Sequence, residues 1–252
     1  MPDSSLNNNI GVQLIEINSV ASTNNYAMEL VHKSLTQHGT VIFAHEQTAG
    51  KGQLGRQWHA TKDENITVSV ILNTSVLQIA QQFLLSMSIA LAVNDFFKTY
   101  AGEESSVKWP NDLYWRDRKA GGILIENIVT GKEWQWAIAG IGININQTIF
   151  DETVINAVSL KQITGKNFDP LELTKELCTR LDHRFRQLHI NSRQSVVDAY
   201  NDILYKKGQK VSLKKNNIVF ECLIKGVNEY GYLITESATE QLFNAGEVQW
   251  IR

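Results

Sequence analysis

Three strand-like runs, residues 106–109, 121–129 and 134–146, follow one another on short links, and this spacing constrains the fold more than any other feature of the chain. Parallel neighbours need a long crossover, so consecutive strands on short links are expected to pair antiparallel. Asp117-Arg118 and Gly131 supply the turn signals between them.

The flanking segments add layers to that sheet. Residues 12–17 alternate as a short strand, and Ser22-Thr23-Asn24 offers N-cap chemistry ahead of Tyr26, Ala27, Leu30 and Val31 at helical spacing. Residues 40–46 read as a strand, and residues 65–72 as a β-branched, central one. Residues 76–100 form a long helical pattern that is apolar nearly all round, which predicts burial against the sheet. Helical patterns return at 170–188 and 192–204. After Lys206-Lys207-Gly208 the character changes to short, closely spaced strands at 211–213, 219–225, 232–235 and 241–244, ending in Gly246-Glu247-Val248. That is the pattern of a small SH3-like barrel. The expected architecture is α+β: a mixed, largely antiparallel sheet with helices on it over residues 1–207, and a barrel over 208–252.

Composition narrows the function classes. The chain has 252 residues, 43% of them hydrophobic, enough for a real core. A net charge of −2 argues against non-specific nucleic-acid binding, which needs a broad basic face. Cys178 and Cys222 are too few and too far apart for a disulfide scaffold and read as buried, reduced thiols. The six histidines form no tight ligand pair, so no protein-bound metal is expected. The first nine residues are polar and expected to fray. No signal-peptide pattern and no apolar run near the ~18 residues of a membrane helix is visible. These points predict a soluble, cytoplasmic protein.

Three segments carry chemistry that a core would not ask for. Lys108-Trp109-Pro110-Asn111-Asp112 leads through Asp117-Arg118-Lys119 to Gly121-Gly122, mixing cations, an Asn-Asp pair and a double glycine between strands. Such a mixture suits an anionic substrate lying on a sheet. Gly50-Lys51-Gly52-Gln53-Leu54-Gly55 matches G-x-G-x-x-G, but the dinucleotide fingerprint opens a helix and finds an acid roughly 20 residues on. Here a strand follows, and no acid lies between Asn65 and Asp95. Kinase and P-loop readings lack their partner motifs as well. What is left is a hairpin loop, or an anion loop whose backbone N–H groups face a phosphate with Lys51 and Arg56 adding charge. Gly140-Ile141-Gly142-Ile143-Asn144 puts two glycines on one strand face, which suggests close approach of a ligand, and two isoleucines on the other, toward the core. Trp58, Trp109 and Trp115 read first as packing, with one of them available to cover a base.

Together these segments resemble the biotin–protein ligases. Ser22-Thr23-Asn24, Gln47 ahead of Ala49-Gly50-Lys51-Gly52, Gly55-Arg56 with Trp58, Lys108-Trp109-Pro110-Asn111-Asp112, Asp117-Arg118-Lys119 with Gly122, and Gly140-Ile141-Gly142-Ile143-Asn144 stand in that family's order. The terminal barrel is similar to that family's as well. The resemblance implies a class II synthetase-like, biotin–lipoate ligase fold and an ATP-dependent reaction in two steps. Biotin carboxylate attacks the α-phosphate of ATP to give biotinyl-5′-AMP and pyrophosphate; a lysine of a biotin carboxyl carrier protein then takes the biotinyl group.

Carried over residue by residue, the resemblance implies that Lys119, Arg56 and Asp112 are catalytic. Ser22, Thr23, Asn24, Gln47, Gly50, Lys51, Lys119, Gly122, Gly140 and Gly142 would hold biotin. Lys51, Gly52, Gln53, Arg56, Trp58, Asn111, Lys119 and Asn144 would hold ATP and the adenylate. Magnesium would ride on the ATP phosphates without a protein cage. The loop departs from the family's frequent Gly-Arg-Gly-Arg-Arg-Gly-Arg: Lys51, Gln53 and Leu54 stand where arginines do, and Arg56 alone is unchanged. The short stretch ahead of Ser22 predicts a form without a helix-turn-helix domain and no DNA partner; a homodimer or carrier docking along a sheet edge are both open. A lipoate– or octanoate–protein ligase and a non-catalytic biotin or nucleotide sensor are the alternatives.

Overall fold

The computed structural model describes residues 9–75, 77–151, 156–190 and 192–251. The expected fraying of the first residues, up to position 8, and the expected helix start at Val76 lie outside the described residues. Seven strands form the larger sheet, in the order β1-β2-β3-β7-β6-β5-β4. They are β1 (Leu14–Ile17), β2 (Val41–Ala44), β3 (Asn65–Asn73), β4 (Ser105–Lys108), β5 (Asp112–Trp115), β6 (Arg118–Thr130) and β7 (Glu133–Asn144). Only β1 and β2 run parallel, and helix α1 (Thr23–His32) makes the crossover between them. Every other pair in this sheet is antiparallel. The mixed, largely antiparallel architecture expected from the short links is present.

Alternation along the strands divides the core in two. Val41, Phe43, Val68, Val70, Ile141 and Ile143 belong to the core on the face covered by helices α2 (Gln82–Ala101) and α4 (Pro170–Ile190), with α5 (Arg193–Asp202) packed beside α2. On the other face Ile42, Ile71 and Ile138 pack with Ala27 of α1. Ile141 and Ile143 thus point into the core, as the glycine–isoleucine alternation predicts.

Three differences from the sequence reading have physical causes. Residues 112–115 are a strand, although Asn111-Asp112 suggests a turn; four residues are too few for alternation to show, yet they pair on both sides with β4 and β6. Helix α3 (Leu160–Thr164) went unread; its capping box, Ser159 with Gln162, is a signal that was there to find. The segment Ile79–Ala101 is, by length and composition, apolar enough to cross a membrane, contrary to the expectation of no such run; in this fold it is the core helix, 61% buried over its most apolar window.

The second sheet, in the order β11-β10-β9-β8-β12, consists of β8 (Lys210–Lys215), β9 (Ile218–Val227), β10 (Leu233–Glu236), β11 (Glu240–Phe243) and β12 (Gln249–Ile251). All its pairings are antiparallel, which fits a small barrel-like unit. β12 is an addition to the expected strands, and Gly246-Glu247 forms the turn into it. The barrel is tied down at defined points. Trp109 donates from Nε1 to Gly231 O at 2.9 Å, and Gly231 sits so close to the Phe83 ring that a Cβ there would come within 2.2 Å of it. Asn201 of α5 exchanges two hydrogen bonds with Val227, at 2.9 and 2.7 Å. Trp109 is therefore an anchor between the two sheets, and Trp115 donates to Ala101 O at the end of α2.

Candidate active site

A cavity of about 770 Å³ opens over the glycine-bearing strands β6 and β7, on the sheet face that also carries α1. Ser22, Thr23, Asn24 and Gln47 line one end, the glycine loop another, and Lys108, Asn111, Asp112, Lys119 and Asn144 the floor. Gly246, Val248, Gln249 and Trp250 of the barrel complete the wall. The residues singled out from the sequence at positions scattered from 22 to 144 thus converge.

Lys119 reaches this face because of a bulge. Asp112 pairs with Gly122 and Leu113 with Gly121, but Tyr114 pairs with Lys119, so Ala120 is an extra residue on β6. In unbroken alternation Lys119 would share the core-directed face of Gly121. The bulge turns it to the side of Asp112, where Nζ lies 2.7 Å from Oδ1 with the two side chains 27% and 23% exposed. Asp112 is therefore a strand residue bound to the lysine. Asn111 braces the neighbouring strand, donating from Nδ2 to Ile123 O at 2.6 Å and accepting from Ile123 N at 3.0 Å. Asn144 is buried and donates to Val158 O at 3.2 Å; Val158 N in turn donates to Lys119 O at 2.9 Å, which holds the backbone that carries the lysine.

The glycines serve side chains first. A Cβ at Gly140 would meet Asn24 Oδ1 at 2.4 Å, and one at Gly142 would meet the Trp58 indole at 2.4 Å. The expectation that these glycines leave room for a ligand is thus changed: their space holds Asn24 and Trp58, and these two face the cavity. Only Gly122 looks onto more open ground, with Asp112, Lys119 and Trp58 atoms all 3.6 Å from a Cβ built there. Trp58 lies over the strands with its Nε1 buried and without a partner among the described residues.

Ser22 occupies the N-cap position of α1 with extended backbone, but its side chain makes no cap hydrogen bond. It is buried against the cavity. Thr23 donates from N and from Oγ1 to Gln47 Oε1, at 2.7 and 3.0 Å. Asn24 donates from Nδ2 to Glu126 Oε2 at 2.7 Å, and Ser69 Oγ contacts both Thr23 Oγ1 and Asn24 Oδ1. Sequence reasoning missed Glu126 and Ser69; neither sits in a motif, and only the strand register places them beside α1.

The loop between Gly50 and Trp58 is a small hairpin, closed by Trp58 N to Gly50 O at 2.9 Å and Gly52 N to Arg56 O at 2.8 Å. Leu54 at its tip has a positive φ of 56° and is 75% exposed, within reach of Gly246 in the barrel. Lys51 Nζ stands 3.6 Å from Glu126 Oε1. Arg56 is exposed and has no ion pair among the described residues. Lys108 sits among the rings of Tyr114, Tyr205 and Trp250, 4.8, 5.6 and 5.1 Å from their centres. Among the described residues no cluster of His, Cys, Asp or Glu is built to hold a metal ion. Cys178 and Cys222 are buried and free, and burial pushes the Cys178 thiol up to about 12.

A sheet-borne lysine–aspartate pair, a cationic glycine hairpin and a hydroxyl-rich cradle around one cavity describe a site for joining two anionic substrates. Residues 16–144 match the Biotin/lipoate A/B protein ligase family, and the chain belongs to that family. It is 30% identical over 203 residues to the biotin–[acetyl-CoA-carboxylase] ligase of Mycobacterium tuberculosis, with 73% of this chain and 74% of that protein covered. It is 29% identical over 232 residues to the bifunctional ligase/repressor BirA of Bacillus spizizenii, covering 90% of this chain and 70% of that protein. Among solved structures, the biotin protein ligase from Aquifex aeolicus in complex with biotin and ATP superposes with a TM-score of 0.81 at 25% identity, over 96% of this chain and 99% of that one.

Proposed function

We propose that this chain is an ATP-dependent biotin–protein ligase that forms biotinyl-5′-AMP and transfers the biotinyl group to a lysine of a biotin carboxyl carrier domain. The observation that carries the reading is the Lys119–Asp112 pair, turned by the bulge onto the floor of a cavity that the glycine hairpin overhangs. Bringing a carboxylate to a phosphate means bringing two anions together, and fixed positive charge is what such a step needs most. Lys119 bridges biotin carboxylate and α-phosphate in this reading, while Arg56 and Lys51 neutralise phosphate oxygens. Ser22, Thr23, Asn24 and Gln47 hold the polar head of biotin. Asp112 keeps Lys119 in place and orients the incoming amine in the second step.

Magnesium arrives on the ATP phosphates. The catalytic unit is residues 1–207, and the barrel of residues 208–252 closes the cavity over the nucleotide through Gly246, Val248, Gln249 and Trp250. In this reading the reaction runs in the cytoplasm. β4 is covered on its outer side by backbone bonds between Val107 and residues 203 and 205. That leaves the β1 edge for the carrier or a second copy.

Biotin-dependent exchange of pyrophosphate into ATP, followed by avidin blotting of a carrier fragment, tests the reading. Exchange driven by lipoate or octanoate and not by biotin would replace it with the other branch of the family. Biotin binding without exchange would make the chain a sensor.

A further inference from the structure

Glu126 is not part of the cavity wall, yet it terminates the hydrogen-bond row that runs behind it. A carboxylate only accepts, so Asn24 must turn its NH2 group to Glu126 and its Oδ1 to Ser69. At the far end Thr23 N donates to Gln47 Oε1 at 2.7 Å, which fixes that oxygen as an acceptor too. Between these ends lie three oxygen–oxygen contacts: Asn24 Oδ1 to Ser69 Oγ at 2.5 Å, Ser69 Oγ to Thr23 Oγ1 at 2.7 Å, and Thr23 Oγ1 to Gln47 Oε1 at 3.0 Å. The Ser69 and Thr23 hydroxyls supply one proton each, so the row holds two protons for three contacts. Flipping either amide does not mend it, because a donor would then face a donor at Thr23 N, or an acceptor would face the Glu126 carboxylate.

The row therefore carries a surplus of lone pairs, buried where solvent screens it little: Ser69, Thr23 and Asn24 are 0, 3 and 3% exposed. Thr23 is the hydroxyl of this row that lines the cavity. We infer that Glu126 is a positioning residue which, through Asn24 and Ser69, holds the cradle short of protons and so selects a ligand head that donates an N–H to Thr23 Oγ1. A cyclic urea brings such a donor; a dithiolane ring or a fatty acyl chain brings none. The inference rests on the biotin reading and deepens it, because it assigns the choice between the two branches of the family to the sign of a hydrogen-bond row.

Glu126→Gln tests it, since it reverses the polarity at nearly constant shape; its other loss is the partly exposed ion contact to Lys51 Nζ at 3.6 Å. The new amide donates to a flipped Asn24, Asn24 to Ser69, Ser69 to Thr23 and Thr23 to Gln47, so every contact gains its proton. The free protein is then expected to melt about 2–4 °C higher, while the Kd for biotin by titration calorimetry rises about tenfold. Glu126→Asp keeps an acceptor-only group and is expected to hold biotin more tightly than Glu126→Gln. A merely structural role would lower melting temperature and affinity together, and that result overturns the inference, as does an unchanged Kd in Glu126→Gln. Failure of the unmodified chain to bind biotin would overturn the functional reading along with it, which separates the two failures.

Discussion

The two halves of the active site are built in opposite ways. The floor and the cradle stand on strands and on the first turn of α1, where Lys119, Asn24 and Thr23 each have side-chain partners within 3.0 Å. The hairpin that overhangs them is exposed at Leu54, Arg56 and Gln57, and its cation Lys51 has a partner only at 3.6 Å. Pre-organised groups stabilise charge without rearranging at the moment of reaction. A loosely tied hairpin instead admits and releases ligands. On the proposed function, chemistry and recognition belong to the sheet, and retention of the adenylate to the loop.

Removing the central sheet-borne charge should have the largest effect. Lys119→Ala is expected to cut biotin-dependent pyrophosphate exchange by about 10²–10³-fold with ATP binding retained; unaltered turnover would end the charge-bridging role and much of the contrast drawn above. Next comes Gly140→Ala. Its Cβ would press on Asn24 Oδ1 at 2.4 Å, and the overpacking is expected to cost about 1–3 kcal/mol of stability and to weaken biotin, as thermal melts and titration would record. A methyl group accepted there without loss would mean that the cradle is as yielding as the loop.

On the loop side, Gln53→Arg restores one family cation. It is expected to slow release of labelled biotinyl-adenylate several-fold, as ~1 kcal/mol of added charge interaction implies; equal release rates would show that retention is not set by the hairpin.

The smallest effect concerns the framework under the site. His45, at the end of β2, lies between Glu16 Oε1 at 2.7 Å and Asp63 Oδ1 at 2.6 Å. The hydrogen bond to Glu16 is the main cause that raises its pKa above 6.5, with Asp63 adding to it and burial opposing. The folded state thus favours the protonated ring, so this contribution is complete below pH 6.5 and is lost as pH rises through the raised value. Melting temperatures of His45→Gln should accordingly follow pH less steeply than those of the unmodified chain from pH 6.5 upward.

Much of this protein could be read before its fold was known, for reasons that are local. Alternating Gly140, Ile141, Gly142 and Ile143 announced which strand face meets the core, because a period of two maps directly onto the two faces of a sheet. The motif residues named Lys119, Asp112 and the hairpin as one site without geometry. β5 and α3 escaped because four or five residues are too few to display a period, and β5 is fixed by pairing on both sides. By sequence the space over Gly140 and Gly142 reads as room for a ligand, since nothing in β7 says that Asn24 and Trp58 lie there.

The chain by itself thus determined residue types, strand alternation and the chemistry available. Tertiary structure alone decided where that chemistry points. A single extra residue at Ala120 reverses the side on which Lys119 emerges, and strand register brings Glu126 and Ser69 to the first turn of α1. Packing of the Gly231 turn on Phe83 and Trp109 sets the barrel as a wall of the cavity. Each of these depends on contacts between segments far apart in sequence, which no local pattern encodes.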